Sequence, residues 1–214
     1  MEGALKPKTG ETGGPAGPAR TRPVLLLDVM GTLVRDPFYE DIPAFFGVGL
    51  RDLVRELHPT AWVDFEHGRI DHPTFLSRFF ADGRPYDQDA FCACVTAGYE
   101  FLDGVESLLA DLAAAGIERH TLSNYPVWYE WIEEKLELSR YLDWTFVSCR
   151  TGLRKPAPEA YLRAAHDLGR RPEECIFVDD RETNCRAAAE TGMDAIRFQG
   201  SEALRAALAD RGLL

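Results

Sequence analysis

The run Val24-Leu25-Leu26-Leu27, followed at once by Asp28-Val29-Met30-Gly31-Thr32-Leu33, constrains this chain more than any other stretch. Four consecutive apolar residues leave no face for solvent, so they predict a strand covered on both sides, as at the centre of a parallel sheet. Asp28 ends the run and Gly31-Thr32 predicts a turn. A carboxylate at the C-terminal end of a central parallel strand lies in the crevice where open α/β sheets bind ligands. Taken alone, the same residues serve equally well as a surface turn capped by an aspartate.

Downstream, helical and strand patterns alternate. Asp103 is placed to N-cap a helix carrying Val105, Leu108, Leu109 and Leu112 and ending at Gly116. A short strand from Arg119 to Leu122 runs into Ser123-Asn124, and a helix around Trp128 to Leu136 leads to a strand at Trp144 to Val147. A helix from Pro158 to Leu168 precedes a strand from Cys175 to Val178 that ends in Asp179-Asp180. A helix from Thr183 to Glu190, a strand from Ala195 to Phe198 and a last helix capped by Ser201 complete the chain. Strands separated by helices predict an α/β fold with a doubly wound, mostly parallel sheet.

Between the first strand and this alternation the pattern changes. Phe38, Tyr39, Phe45, Phe46, Leu50, Leu53, Val54, Leu57, Phe75, Leu76, Phe79 and Phe80 fall at helical spacings, with breaks near Pro59, at Gly68 to Pro73 and at Gly83 to Pro85. Residues 36–100 are therefore expected to form short helices inserted as a lid, with 23–35 and 101–214 forming the core. Residues 1–22 are rich in Gly, Pro and Thr and are expected to be disordered, because little there offsets ordering entropy. A transit-peptide remnant is the alternative, although Glu2 and Glu11 are present and serine is absent.

A net charge of −11 over 214 residues, with no basic stripe, argues against nucleic acid or an anionic membrane as partner. No apolar run approaches the ~20 residues of a membrane span. The five cysteines are odd in number and scattered, which suits free thiols in a reducing compartment. Cys92 and Cys94 lack the paired spacing of a zinc site.

Four polar stretches fall just after predicted strands or at helix entries: Asp28 to Thr32, Ser123-Asn124, Lys155 within Gly152-Leu153-Arg154-Lys155-Pro156, and Asp179-Asp180. An ionised carboxylate can attack phosphorus to form an acyl-phosphate, dividing one hard displacement into two easier ones. Attack of an anion on an anionic phosphoryl group needs neutralisation, which carboxylate-held Mg²⁺ and a lysine ammonium supply. A hydroxyl and backbone N–H groups then fix the phosphoryl oxygens. Singly, Ser123-Asn124 reads as a loop start, Lys155 as a solvated charge, and Asp179-Asp180 as a helix cap or a cation site.

In this order the stretches resemble the haloacid dehalogenase (HAD) superfamily, mostly aspartate-nucleophile phosphatases. Its first motif, a hydrophobic strand then D-x-D-G-T, matches at Asp28, Gly31 and Thr32; its second matches at Ser123 with Asn124. Its third matches Lys155-Pro156-Ala157-Pro158, and its fourth matches Ile176-Phe177-Val178-Asp179-Asp180 with Asn184 downstream. The resemblance implies a Rossmann-like core with an inserted helical first-type cap. It implies Asp28 as nucleophile, and Mg²⁺ held by Asp28, Asp179, Asp180 and the Met30 carbonyl. Phosphate would be bound by Thr32, Ser123, Asn124 and Lys155.

One position departs from that pattern. Phosphatases of the superfamily carry a second aspartate two residues after the nucleophile as general acid/base, and here it is Met30. Loss of a positioned acid/base lowers rates by roughly 10²–10⁴, which implies slow turnover, a good leaving group, or an acid lent by the cap. His58, His67 and His72 are cap residues able to titrate near neutrality. Members that cleave carbon–halogen bonds also lack that acid, so dehalogenation is one rival reading and a non-catalytic flavin- or phosphate-binding module is another.

The run Leu27 to Asp41, together with Pro43-Ala44-Phe45-Phe46-Gly47, Asn124 to Tyr129 and Phe177 to Arg181, is similar to a plant and algal branch of the superfamily that includes flavin mononucleotide (FMN) hydrolases. That likeness implies hydrolysis of FMN to riboflavin and phosphate, with another small phosphate ester as the alternative. It also implies a chloroplast stroma location, with the cytoplasm as alternative. Phe38, Tyr39, Phe45, Phe46, Trp62, Phe65, Tyr125, Trp128 and Tyr129 are candidates to wall an isoalloxazine ring, although rings at helical spacing also build cores.

Overall fold

A computed structural model describes residues 22–214. Up to residue 21, the tail expected to be disordered lies outside the described residues; Arg22 donates from Nη1 to the Ala115 carbonyl at 2.8 Å.

Five strands form one parallel sheet: β1 (Val24–Leu27), β2 (Arg119–Ser123), β3 (Asp143–Val147), β4 (Cys175–Asp179) and β5 (Asp194–Arg197), in the order β3-β2-β1-β4-β5. β1 is the middle strand, and all four of its residues are buried, which is why its sequence does not alternate. The pleat sends Leu25 and Leu27 to one core with Ile176 and Val178, and Leu26 to the opposite one with Phe177. The first core is closed by α6 (Val105–Ala114) through Leu108 and Leu112 and by α11 (Ser201–Ala209) through Leu204 and Leu208. α9 (Pro158–Asp167), through Tyr161 and Ala164, and α10 (Glu182–Glu190), through Ala188, close the second. Helices on both faces make the sheet doubly wound.

The chain runs from β1 to β2 and β3 on one side, then crosses to β4 and β5 on the other. The strand order reverses between β1 and β4, and a crevice opens there beyond their C-terminal ends. Leu27 pairs with Val178, and the Asp28 amide donates to the Val178 carbonyl at 2.9 Å. Register alone therefore sets Asp28, just past β1, beside Asp179 at the end of β4.

Over this crevice lie α1 (Asp41–Phe46), α2 (Leu50–Glu56), α3 (Ala61–Glu66), α4 (His72–Ser77) and α5 (Gln88–Gly98), all between β1 and α6. α4 begins where Asp71 accepts from the Thr74 amide at 2.9 Å. Their apolar faces meet in an aromatic cluster: Phe46 stacks on Phe79, and Phe65 on Phe75. Trp128, fully buried just before α7 (Tyr129–Leu136), packs edge-on against Phe65 and Phe75 and so ties this cluster to the sheet domain.

Some local expectations differ in detail. Asp103 does not cap α6: the N-cap is Gly104, at φ +72° and with no side-chain cap. Ser201 is the first residue of α11, not its cap, and its Oγ lies 2.5 Å from where a Cβ on Gly104 would stand. The close approach of these two segments decides both ends. β5 is one residue earlier than expected, and Phe198, beyond it, donates its amide to the Asp179 carbonyl at 2.9 Å. The short α8 (Ser148–Thr151) had no sequence signal.

Candidate active site

Lys155 lies in the crevice between β1 and β4. Its Nζ donates to Asp28 Oδ1 at 2.8 Å and to Asp179 Oδ2 at 2.6 Å, with only 2% of the residue exposed. Asn124, just past β2, holds the lysine by its backbone: Asn124 Nδ2 donates to the Lys155 carbonyl, and the Lys155 amide to Asn124 Oδ1, each at 2.8 Å. Asn124, expected among the phosphate-binding groups, is thus engaged first in positioning Lys155. The Lys155-Pro156 peptide is cis.

Asp179 is further fixed by Asn184, whose Nδ2 reaches both carboxylate oxygens at 3.0 Å, and by the Arg181 amide at 2.8 Å. Thr32 is buried and joins two acidic segments: its Oγ1 donates to Asp28 Oδ2 at 3.4 Å and accepts from the Asp180 amide at 3.0 Å. The turn between them needs Gly31, which adopts φ +78°, and any Cβ there would stand 3.0 Å from Asp180 Oδ2. Ser123 closes β2, and its buried hydroxyl has no hydrogen-bond partner among the described residues.

One ammonium faces three acids. Burial pushes the Asp28 carboxyl up to about 7; Lys155 opposes the rise, while Asp179 and Asp180 add to it. Burial works against the charge of Lys155, but Asp28 and Asp179 more than offset it and its pKa is raised. Asp180 is raised as well, by burial and then by Asp179. Asp28, Asp179 and Asp180 each bring an oxygen within 4.8 Å of the others'. Asp180 Oδ1 is buried with no hydrogen-bond partner, and the Met30 carbonyl accepts no hydrogen bond among the described residues. Hard oxygen donors with excess negative charge and an unengaged buried carboxylate oxygen fit a divalent cation such as Mg²⁺.

A cavity of about 390 Å³ opens from this cluster toward the helical layer. Of the residues expected from sequence, Asp28, Met30, Asn124 and Lys155 form part of its wall, whereas Thr32, Ser123, Asp179 and Asp180 do not. Phe38, Tyr39, Trp62 and Tyr125 line it, as expected of ring-binding walls. Phe45, Phe46 and Phe65 instead pack in the aromatic cluster, and Tyr129 lies against Trp144. Trp128 faces a smaller apolar space of about 40 Å³ that shares Asp36, Phe38, Trp62 and Tyr125 with the first.

Sequence reasoning did not single out Asp36, Glu66, Arg154 or Arg181, all of which line the larger cavity. Arg154 and Arg181 directly adjoin Lys155 and Asp180 in the chain, and that adjacency was a usable signal. Glu66 had none, because it enters only through the packing of α3. Of the three cap histidines, only His58 reaches this wall; His67 contacts the Gly152 carbonyl at 3.2 Å, and His72 packs on Trp128 and Trp131.

Comparison with known proteins identifies the family. The chain is 48% identical, over 91% of its length and 79% of the relative's, to flavin mononucleotide hydrolase 1, a chloroplast protein of Arabidopsis thaliana. It is 29% identical to a sesquiterpene phosphatase of Aspergillus oryzae, over 72% of this chain and 80% of that one. A HAD family enzyme of Bacteroides thetaiotaomicron, solved with magnesium and inorganic phosphate, has the same fold at a TM-score of 0.69 and 21% identity, covering 85% of this chain and 96% of its own. A family model matches residues 23–192, and the chain belongs to the haloacid dehalogenase-like hydrolases.

Proposed function

We propose that this hydrolase is a Mg²⁺-dependent phosphatase that converts FMN to riboflavin and phosphate through a phospho-aspartate. The observation that carries the reading is the Lys155 ammonium bridging Asp28 and Asp179 at the floor of an aromatic-walled cavity. Asp28 attacks phosphorus, with Thr32 and Lys155 fixing its two oxygens. The buried Ser123 hydroxyl and the Lys155 ammonium bind phosphoryl oxygens, and Asn124 keeps Lys155 in place. Water then hydrolyses the phospho-aspartate. Asp28, Asp179, Asp180 and the Met30 carbonyl would hold Mg²⁺, which when bound neutralises phosphoryl charge. The helices over the crevice exclude bulk water during transfer. Identity to the Arabidopsis enzyme and the rings Phe38, Tyr39, Trp62 and Tyr125 support FMN as substrate. The same relative supports the chloroplast stroma as compartment.

A panel of phosphate esters including FMN, assayed with Mg²⁺ and with EDTA, tests the reading. FMN is expected to be hydrolysed with the highest kcat/KM and to lose turnover in EDTA. Equal trace release from every ester would remove the flavin assignment. Activity on a haloacid that persists in EDTA would replace phosphatase by dehalogenase chemistry.

A further inference from the structure

An alkyl phosphate releases a poor leaving group, and Met30 offers no proton, so another wall residue has to supply one. We propose that Asp36 is the catalytic residue that protonates the departing ester oxygen; the assignment rests on the phosphatase reading above.

Asp36 lies in the wall of the cavity that opens from the nucleophile. It lines the cavity that contains Asp28, Met30 and Lys155, and it also lines the smaller apolar space beside it. The chain returns there because the turn after Asp28 folds back on itself: the Gly31 amide donates to the Val34 carbonyl at 2.8 Å, and Arg35 donates to the Glu100 carbonyl at 2.8 Å. Oδ1 of Asp36 is fixed by the Phe38 amide at 2.9 Å, which leaves Oδ2 with no hydrogen-bond partner among the described residues. No cation pairs with this carboxyl within salt-bridge distance among the described residues.

Among the other proton-bearing groups of the wall, the Tyr39 hydroxyl is turned out to solvent, where it accepts from Arg181 Nη2 at 3.4 Å, and the rest are engaged. Glu66 receives Arg154 Nε at 2.5 Å on one oxygen and Trp62 Nε1 at 2.7 Å on the other. His58 has its Nδ1 against the amides of Thr60 and Ala61, at 3.3 and 3.2 Å, and its Nε2 against Arg78 at 3.3 Å. The Tyr125 hydroxyl is paired with that of Tyr99 at 2.8 Å, and burial raises its pKa far above the ordinary value. A guanidinium is no proton donor at neutral pH, which leaves out the two arginines of the wall.

The surroundings of Asp36 favour its protonated form. Burial raises its pKa, the Phe38 amide and then Arg181 oppose that, Asp180 adds to it, and Arg35 opposes it slightly. The Asp36 charge also raises the pKa of Tyr99 and of Tyr125. A carboxyl whose proton affinity is raised by burial holds its proton longer than a free one and is suited to give and take it.

The step balances. An Asp28 oxygen forms a bond to phosphorus while the ester P–O bond breaks, its electron pair going to the ester oxygen, which takes the proton from Asp36 Oδ2 and leaves as the alcohol. In the second half, the Asp36 carboxylate accepts a proton from the water that attacks phosphorus. The bond from phosphorus to Asp28 then breaks, releasing phosphate and restoring both acids.

Asp36→Asn keeps an oxygen for the Phe38 amide and removes the proton. With Mg²⁺ present, kcat/KM for FMN or another alkyl phosphate is expected to fall by roughly 10²–10⁴. For p-nitrophenyl phosphate, whose leaving group departs readily as the anion, kcat/KM is expected to stay within about fivefold, because only ester cleavage is read. The descending high-pH limb of the alkyl-phosphate profile is expected to vanish in the variant. Parallel losses on both substrates, as a merely structural role or misfolding produces, overturn the assignment, as does an unchanged rate on alkyl esters. Hydrolysis of some alkyl phosphate other than FMN by the unmodified protein removes the substrate assignment alone. Absence of hydrolysis of every phosphate ester removes both readings.

Discussion

The Glu66 carboxylate at the end of α3 and the Arg154 guanidinium, one residue before Lys155, form an ion pair at 2.5 Å across the boundary between the helical layer and the sheet domain. The Glu66 side chain is 6% exposed and that of Arg154 27%, so the pair is screened on one side only. Nearby, the Ser148 hydroxyl donates to the Glu66 carbonyl at 2.5 Å, and a Cβ on Gly68 would stand 2.4 Å from the Cys149 carbonyl. The seat of α3 on α8 is therefore close-packed and also charged, and it adjoins the segment that carries Lys155.

Glu66→Gln removes the charge and keeps the shape. It leaves the Arg154 guanidinium without its carboxylate, and a stability loss of about 1–3 kcal/mol is expected. KM is expected to rise more than kcat falls, because Arg154 and Trp62 line the cavity and the single glutamine oxygen can accept from only one of them. Thermal melts together with steady-state kinetics check this. An unchanged melt and an unchanged KM would mean that the pair does not hold the helical layer in place.

Asp28 makes the metal-free protein sensitive to pH in a stated direction. Its carboxyl rises from the ordinary 3.8 to about 7 in the folded state, chiefly through burial. The folded protein thus keeps a proton that the unfolded chain has already lost, and the associated stability is present at low pH and falls as pH rises toward about 7. In EDTA, the Tm of the unaltered protein is expected to fall relative to that of Asp28→Asn between about pH 5 and pH 7. Excess Mg²⁺ is expected to flatten the difference by favouring the ionised form. Melting curves that run parallel across this range count against the shift, and phosphate release by Asp28→Asn would count against its role as nucleophile.

Gly31 couples backbone conformation to the acidic cluster. Gly31→Ala forces a side chain into a left-handed conformation at φ +78°, a cost of about 1–2 kcal/mol. It also brings a methyl to 3.0 Å from Asp180 Oδ2, so that carboxylate has to move. Weaker Mg²⁺ binding is expected alongside the stability loss, measured by calorimetric titration. A variant that is destabilised but binds Mg²⁺ unchanged would show that Asp180 does not contribute to the cation site.

The parallel sheet was legible because its strands are short apolar runs bounded by polar turns, and because Val24 to Leu27 left no solvent face. The cluster Asp28, Lys155, Asp179 and Asp180 was legible in the same way, since residues after parallel strands converge at one edge. Helix ends were less so: Gly104 and Ser201 meet each other from distant parts of the chain, and that contact overrode the local capping signal of Asp103.

Sequence by itself determined that a central strand ends in a carboxylate, that three further polar stretches follow strands or enter helices, and that Met30 stands where an acid is usual. Only the tertiary structure decided what surrounds them. It divided the aromatic residues into cavity wall (Phe38, Tyr39, Trp62) and core (Phe46, Phe65), engaged Glu66 and His58, and set Asp36 in the cavity wall with one oxygen unbound among the described residues. The reason is physical: strand register is written in a short-range pattern, whereas burial, charge pairing and proton affinity depend on which distant segments the packing brings within a few ångströms.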